Sequence, residues 1–177
     1  MNVCCDSQRG FATDSSLRYF LIALFILLLD QWSKRWVVKH MELMEQIPVI
    51  DGFFYITSHR NRGAAFGILQ NQQWLFISIT IVVVFFLFLY IWKLRKTQPF
   101  TTFSLSLILG GALGNFIDRV RTGEVVDFFH FQYGSYHFPI FNIADSAIVV
   151  GVTILMIMTL KTSSYEGKEK ITKAEDS

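Results

Sequence analysis

Four aspartates lie in or beside apolar stretches of the chain: Asp30, Asp118, Asp127 and Asp145. Asp145 is the most exceptional, because Pro139-Ile-Phe-Asn-Ile-Ala-Asp145-Ser-Ala-Ile opens a run that stays apolar as far as Leu160. A carboxylate inside such a segment is costly and marks a functional site. Asn142 stands three residues earlier, on the same face of a helix. Two carboxylates too close for both to ionise can share one proton. One then acts as base on a water while the other donates to a scissile carbonyl, which is aspartic peptidase chemistry. Asp145 with Asp127, or Asp145 with Asp118, would supply that pair. Asp127 lies between Val-Val and Phe-Phe, where burial would raise its pKa. Other chemistries are less well served. Ser33 and Lys34 are adjacent, so on a helix they point in different directions. His40, His59, His130 and His137 lack metal-ligand spacing, and the adjacent Cys4 and Cys5 cannot build a disulfide framework.

The elements that must position these groups are membrane spans. In 177 residues, 52% are hydrophobic and only 17% charged, against about 25% charged in a soluble domain. Mean hydropathy is +0.40. The net charge of +2 is too small to argue for nucleic acid. A helix needs about 20 apolar residues to cross a bilayer, and four spans are expected, at about 17–37, 73–92, 100–118 and 139–160. The first reaches full length only by running through Asp30-Gln-Trp-Ser-Lys34-Arg35, where Asp30 and Lys34, four apart, can neutralise each other. Residues 1–16 form a polar tail without a cleavable signal peptide, 17–160 a single domain, and 161–177 a charged tail expected to be mobile.

Three cations in the short segment Lys93-Leu-Arg95-Lys96 place that loop in the cytoplasm, and with four spans both termini follow. Seven of the sixteen Lys and Arg would then lie at or near the outer face, a weak bias overall. Two outer segments remain. Pro48–Thr57, with a turn at Asp51-Gly52, and Gly123–Gly134 read as strands of a small sheet on the outer surface. Asn61-Arg-Gly-Ala-Ala-Phe66-Gly-Ile-Leu reads as a turn entering a short amphipathic helix. In this topology Asp30, Lys34, Asn115, Asp118, Arg119, Asn142 and Asp145 share one layer in the outer half of the membrane, and Asp127 reaches it from a strand. Asp145 would lie roughly 9 Å below the start of the fourth helix. Asp118, near a helix C-terminus, needs a cation, which Arg119 or Arg121 could supply. Inverting the chain would gather the same groups on the cytoplasmic side.

Five blocks occur in order: Asp30-Gln-Trp-Ser-Lys34, Asn61-Arg-Gly-Ala-Ala-Phe66, Gly110-Gly-Ala-Leu-Gly-Asn115-Phe-Ile-Asp118-Arg119, Val125-Val-Asp127-Phe, and Phe141-Asn142-Ile-Ala-Asp145-Ser-Ala-Ile148. Together with four spans, these closely resemble lipoprotein signal peptidase (signal peptidase II), the bacterial membrane aspartic peptidase family, over about residues 17–160. The resemblance implies four transmembrane helices, a small extracytoplasmic sheet and an amphipathic helix over the site, in the bacterial cytoplasmic membrane. It implies cleavage of prolipoproteins just before a diacylglyceryl-modified cysteine, without metal or organic cofactor. It also implies Asp127 and Asp145 as the catalytic dyad, Asp118 as structural and helping to place Arg119, and Asn61, Asn115, Arg119 and Asn142 lining the site. Asp30 and Lys34 would support it as a pair. Partners would be lipidated precursors and membrane lipids, and nothing demands more than a monomer. Two competing readings are a small proton-coupled transporter, since intramembrane acids also form relays, and a structural membrane protein using polar groups as helix glue.

Overall fold

The structure is a computed structural model describing residues 15–63 and 72–175. The elements run α1 (Ser15–His40), β1 (Gln46–Ile50), β2 (Phe54–Asn61), α2 (Gln73–Leu94), α3 (Pro99–Thr122), β3 (Val125–Tyr133), β4 (Tyr136–His137) and α4 (Ile143–Glu175). Three helical segments, Gln73–Leu94, Pro99–Thr122 and Ile143–Lys161, are long and apolar enough to cross a membrane. Helix α1 has 26 residues; Arg18 lies in its first turn, and its other charged groups all lie from Asp30 onward. The expected amphipathic helix falls on residues 64–71, outside the described residues.

Helix α3 is the central post, packing against α1, α2 and α4. Two properties of its sequence allow this. Its hydroxyls are satisfied internally: Thr102, Ser104 and Ser106 are fully buried, and each donates back to a carbonyl of the preceding turn. Its glycines let other backbones approach. A Cβ on Gly110 would stand 2.6 Å from the Ala23 carbonyl oxygen, and one on Gly111 would press into the Ala144 carbonyl. This is the close approach that small residues give helices in lipid. One apolar cluster, Tyr19, Ala23, Leu87, Ile91, Leu105 and Leu109, joins α1, α2 and α3.

At the other end of the bundle lies a four-stranded antiparallel sheet in the order β1-β2-β3-β4. Its turns carry glycines at positive φ, Gly52 and Gly134, where a side chain would be strained. The strands expected on either side of these turns are present. A second cluster, Val37, Met41, Val126 and Phe128, seats the sheet on the end of α1. The β2–β3 register slips between Ile56 and His59: Ile56 faces Phe129, but His59 faces Asp127. One extra residue on β2 makes this a bulge, a device that re-aims side chains.

The fourth helix starts later than expected, while its apolar span ends at Lys161, close to the expected end. Residues 139–142 are not helical. Phe141 pairs with Phe129, accepting its N–H at 2.8 Å and donating back at 3.1 Å, so the run adds to the sheet edge. At the other end, α4 continues to Glu175, through the tail expected to be mobile. The Lys and Glu of that segment are good helix formers.

Gly111→Ala is expected to destabilise the protein by about 1–3 kcal/mol, because neither backbone at this crossing can yield easily. Thermal unfolding in detergent measures it, and a midpoint equal to wild type would contradict the packing described.

Candidate active site

Helix α4 starts at Ile143 because Asn142 caps it. Asn142 Oδ1 accepts the Asp145 N–H at 2.9 Å, and Asp145 Oδ2 accepts the Asn142 N–H at 3.1 Å. This is a reciprocal capping box, built from Asn and Asp in place of Ser or Thr and Glu. Asp30, from α1, accepts the Ala144 N–H at 2.9 Å. Three backbone donors at the start of the helix are therefore satisfied. Asp145 is thus the third residue of α4, not a group some way down its length. A carboxylate in the first turn is favoured by the helix dipole, so its presence in an apolar segment costs less than the sequence suggests.

Asn142 is also the joint to the sheet. Its Nδ2 donates to Asp127 Oδ1 at 2.7 Å and reaches Asn115 Oδ1 at 3.2 Å. Asn61 lies diagonally from Asp127 across the β2–β3 ladder and donates to its Oδ2 at 3.0 Å. Asn115, from α3, donates to Asp145 Oδ1 at 2.7 Å. Each of the two carboxylates is held by two donors, and Asn142 touches both. Asp127 is almost fully buried. Burial, reinforced by the Asp145 carboxylate, pushes its carboxyl up to about 7, against the opposing pull of Asn61, Asn142 and Lys34.

Below this pair lies the charge centre that fixes it. The Lys34 ammonium, 2% exposed, stands 2.8 Å from Asp30, 2.8 Å from Asp118 and 2.8 Å from Asn115 Oδ1. The cation for Asp118 is therefore Lys34, not Arg119 or Arg121. Gln31 completes Asp118 by donating to Oδ1 at 2.8 Å, and also reaches the Gly114 carbonyl. Gly114 is required here, because a Cβ would stand 2.5 Å from Asp30 Oδ2. Arg119 is held separately: it reaches the Gly63 carbonyl at 3.4 Å and lies over the Phe76 ring. Asp118 and Arg119 thus have different hydrogen-bond partners.

Asp127, Asp145, Asn61, Asn115 and Arg119 line one cavity of about 570 Å³. Asp30, Lys34, Asn142 and Asp118 stand behind it. The rest of the wall is apolar: Phe138 to Phe141 from the sheet edge, and Ile148, Val149 and Val150 from α4. Val149 and Val150 are also exposed on the outside of the helix bundle, so the cavity opens toward the surface that lipid would cover. Chemically, two carboxylates meet a mainly apolar chamber with one guanidinium in its wall.

A model of signal peptidase (SPase) II matches residues 22–161, most of the chain. The chain belongs to the signal peptidase II family. Two solved bacterial membrane enzymes, both determined by the in meso method, have the same fold. The first, at 2.3 Å resolution, is 41% identical, with 84% of this chain and 90% of that one covered and a TM-score of 0.74. The second, at 1.9 Å, is 42% identical over 81% of this chain and 93% of that one, with a TM-score of 0.70. Signal peptidase II acts on lipoproteins, so the protein is a membrane-embedded hydrolase of lipoprotein processing. The transporter reading finds no support in this match.

Several contributors to this signal peptidase II site were not singled out from sequence. Gln31 belongs to the Asp30–Lys34 block, and its place beside Asp30 and three before Lys34 puts it on the same side of α1. Gln73, which donates to the Arg119 carbonyl at 2.7 Å and so helps close the end of α3, carried no local signal. Lys34→Met is expected to cost about 3–5 kcal/mol, because Asp30 and Asp118 are then left buried and unpaired. Adding Asp30→Asn and Asp118→Asn should recover part of that loss in thermal unfolding. No recovery would mean that Lys34 acts through packing and not charge.

Proposed function

We propose that this signal peptidase II is an aspartic endopeptidase whose dyad is Asp127 and Asp145. It would cut prolipoproteins just before a diacylglyceryl-modified cysteine. The observation that carries the reading is that both carboxylates face one apolar cavity and are tied together through Asn142. Asp145 takes the role of base: it accepts hydrogen bonds from Asn115 and from the Asn142 backbone, at the positive end of α4. Asp127 takes the role of acid, since burial lets it keep a proton near neutral pH. Asp145 removes a proton from water as the oxygen attacks the scissile carbonyl, and Asp127 gives its proton to the carbonyl oxygen. Collapse of the tetrahedral intermediate returns a proton to Asp127. The amine leaves with the proton held by Asp145, and the dyad is restored with one shared proton.

The same reading has α1 as the fourth span, beside the three apolar helices. It also puts the sheet and site at the outer face of the bacterial cytoplasmic membrane, with both termini inside. The basic α2–α3 connection, Lys93, Arg95 and Lys96, lies at the end of the bundle away from the sheet and supports that orientation. Phe138, Ile140, Phe141 and Val149 suit a substrate whose acyl chains stay in lipid while its peptide bond reaches the dyad. Arg119 and Asn61 are positioned to orient the substrate backbone. The enzyme is proposed to work as a monomer.

Asp127→Asn and Asp145→Asn should each lower the cleavage rate of a diacylglyceryl-modified precursor by about 10²–10⁴-fold or more, with the protein still folded in the membrane. A near-normal rate from either would refute the dyad. Asp118→Asn should be judged by stability first, and its loss of activity without loss of folding would move the acid to Asp118.

The raised Asp127 carboxyl also sets a pH dependence of stability. The folded state holds a proton that the unfolded chain releases near the ordinary carboxylate value of 3.8. Its stabilising contribution is fully present below that value and is lost as pH rises through about 7. Thermal midpoints recorded across this window should decline more steeply for wild type than for Asp127→Asn. Parallel curves would show that Asp127 titrates alike in both states.

A further inference from the structure

Seven cations sit at the sheet end of the bundle, and four of them are engaged by the site or by neighbouring side chains and carbonyls. Lys34 is in the buried charge centre and Arg119 in the cavity wall. Arg62 pairs with Glu124, and Arg60 bonds Ser58 and the His59 carbonyl. Arg35, Lys39 and Arg121 have no ion-pair partner among the described residues. All three line one cleft of about 230 Å³ between the ends of α1 and α3, with Lys34, Asp118 and Thr122. Lys34 is shared by Asp118 and Asp30, so the four cations here outnumber the two carboxylates and leave a net positive charge of about two around the cleft. Cations on an outer face oppose the usual orientation rule, and like charges gathered in one cleft repel unless an anion joins them.

A second, apolar groove of about 670 Å³ shares Gln31 and Arg35 with this cleft. It is formed by Phe25, Leu27, Leu28, Leu29, Trp32 and Ile117. Phe25, Leu28 and Trp32 are all more than half exposed. Trp32 lines the groove together with Arg35, and tryptophan is a side chain favoured at membrane interfaces. Both features lie between α1 and α3, whereas the catalytic cavity has no α1 residue in its wall and lies between α3, α4 and the sheet.

We propose that cleft and groove together bind one anionic phospholipid, its phosphodiester among Arg35, Lys39 and Arg121 and an acyl chain along Phe25, Leu28, Trp32 and Ile117. Basic pockets between membrane helices take anionic headgroups in this way. The apolar groove leading out of the cleft favours a lipid over a free anion. The occupant clamps α1 against α3 next to the Lys34–Asp118 pair and so stabilises the wall behind the dyad. The inference rests on α1 crossing the membrane.

The test uses the full chain in phosphatidylcholine discs to which phosphatidylglycerol is added, with the thermal midpoint as readout. Wild type should show a saturable rise. Each cation removed should weaken half-saturation about five-fold, from the roughly 1 kcal/mol that one surface cation contributes to anionic lipid binding. Lys39→Gln alone should therefore give a small shift, and Arg35→Gln with Lys39→Gln and Arg121→Gln should abolish the response. Arg35→Lys with Arg121→Lys should keep it, as should Lys93→Gln with Lys96→Gln at the far end. A full response from the triple variant, or an equal loss from the Lys93 and Lys96 pair, would overturn the site. The same rise with inorganic phosphate in detergent would make it a free-anion site and overturn the lipid. Cleavage of lipidated precursor in pure phosphatidylcholine discs is read in parallel. The triple variant should keep it, so a failure of the peptidase reading is seen apart from a failure of this one.

Discussion

Asn142 uses both ends of one carboxamide. Its oxygen caps α4 through the Asp145 N–H, and its nitrogen donates to Asp127. A helix start and a strand residue are thereby locked to each other by a fully buried group, where an unmade hydrogen bond would cost more than in water. Everything else at the site is arranged around this joint. Asp30 supplies a further cap to α4, Lys34 holds Asp30 and Asp118 together, and Asn115 carries the charge centre to Asp145. The chain of contacts runs from α1 through α3 to α4 and then to β3.

This arrangement separates two jobs that buried charge performs. Around Lys34 two carboxylates share one ammonium at short range, which fixes the helices. Around Asp127 compensation is incomplete: the carboxyl is buried, faces another carboxylate, and receives only neutral carboxamides at close range. An incompletely compensated acid is the one able to hold and release a proton near neutrality. The β2 bulge beside His59 and the diagonal placement of Asn61 aim the strand side of this pair into the cavity.

Much of this was legible in sequence, and the rest was hidden for identifiable reasons. The layer shared by Asp30, Lys34, Asn115, Asp118, Asn142 and Asp145 followed from the order of the spans, and the two turns from Asp51-Gly52 and Gly134. The start of α4 was misplaced because Pro139, Ile140 and Phe141 are as apolar as the helix they precede, and hydropathy does not separate an edge segment from a span. The spacing of Asn142 and Asp145 was in fact a capping signature. The choice of Lys34 over Arg119 or Arg121 as the partner of Asp118 was not readable, because it depends on how closely α1 approaches α3 at Gly114, a tertiary distance.

The central claim is that Asp127 carries the shared proton. Infrared difference spectroscopy of the carboxyl stretch, recorded on the purified protein across a pH titration, observes that proton directly. One protonated carboxyl that disappears near pH 7 and is absent from Asp127→Asn is the predicted result. A band that persists unchanged in Asp127→Asn, or that is already lost near the ordinary carboxylate value of 3.8, would contradict the account.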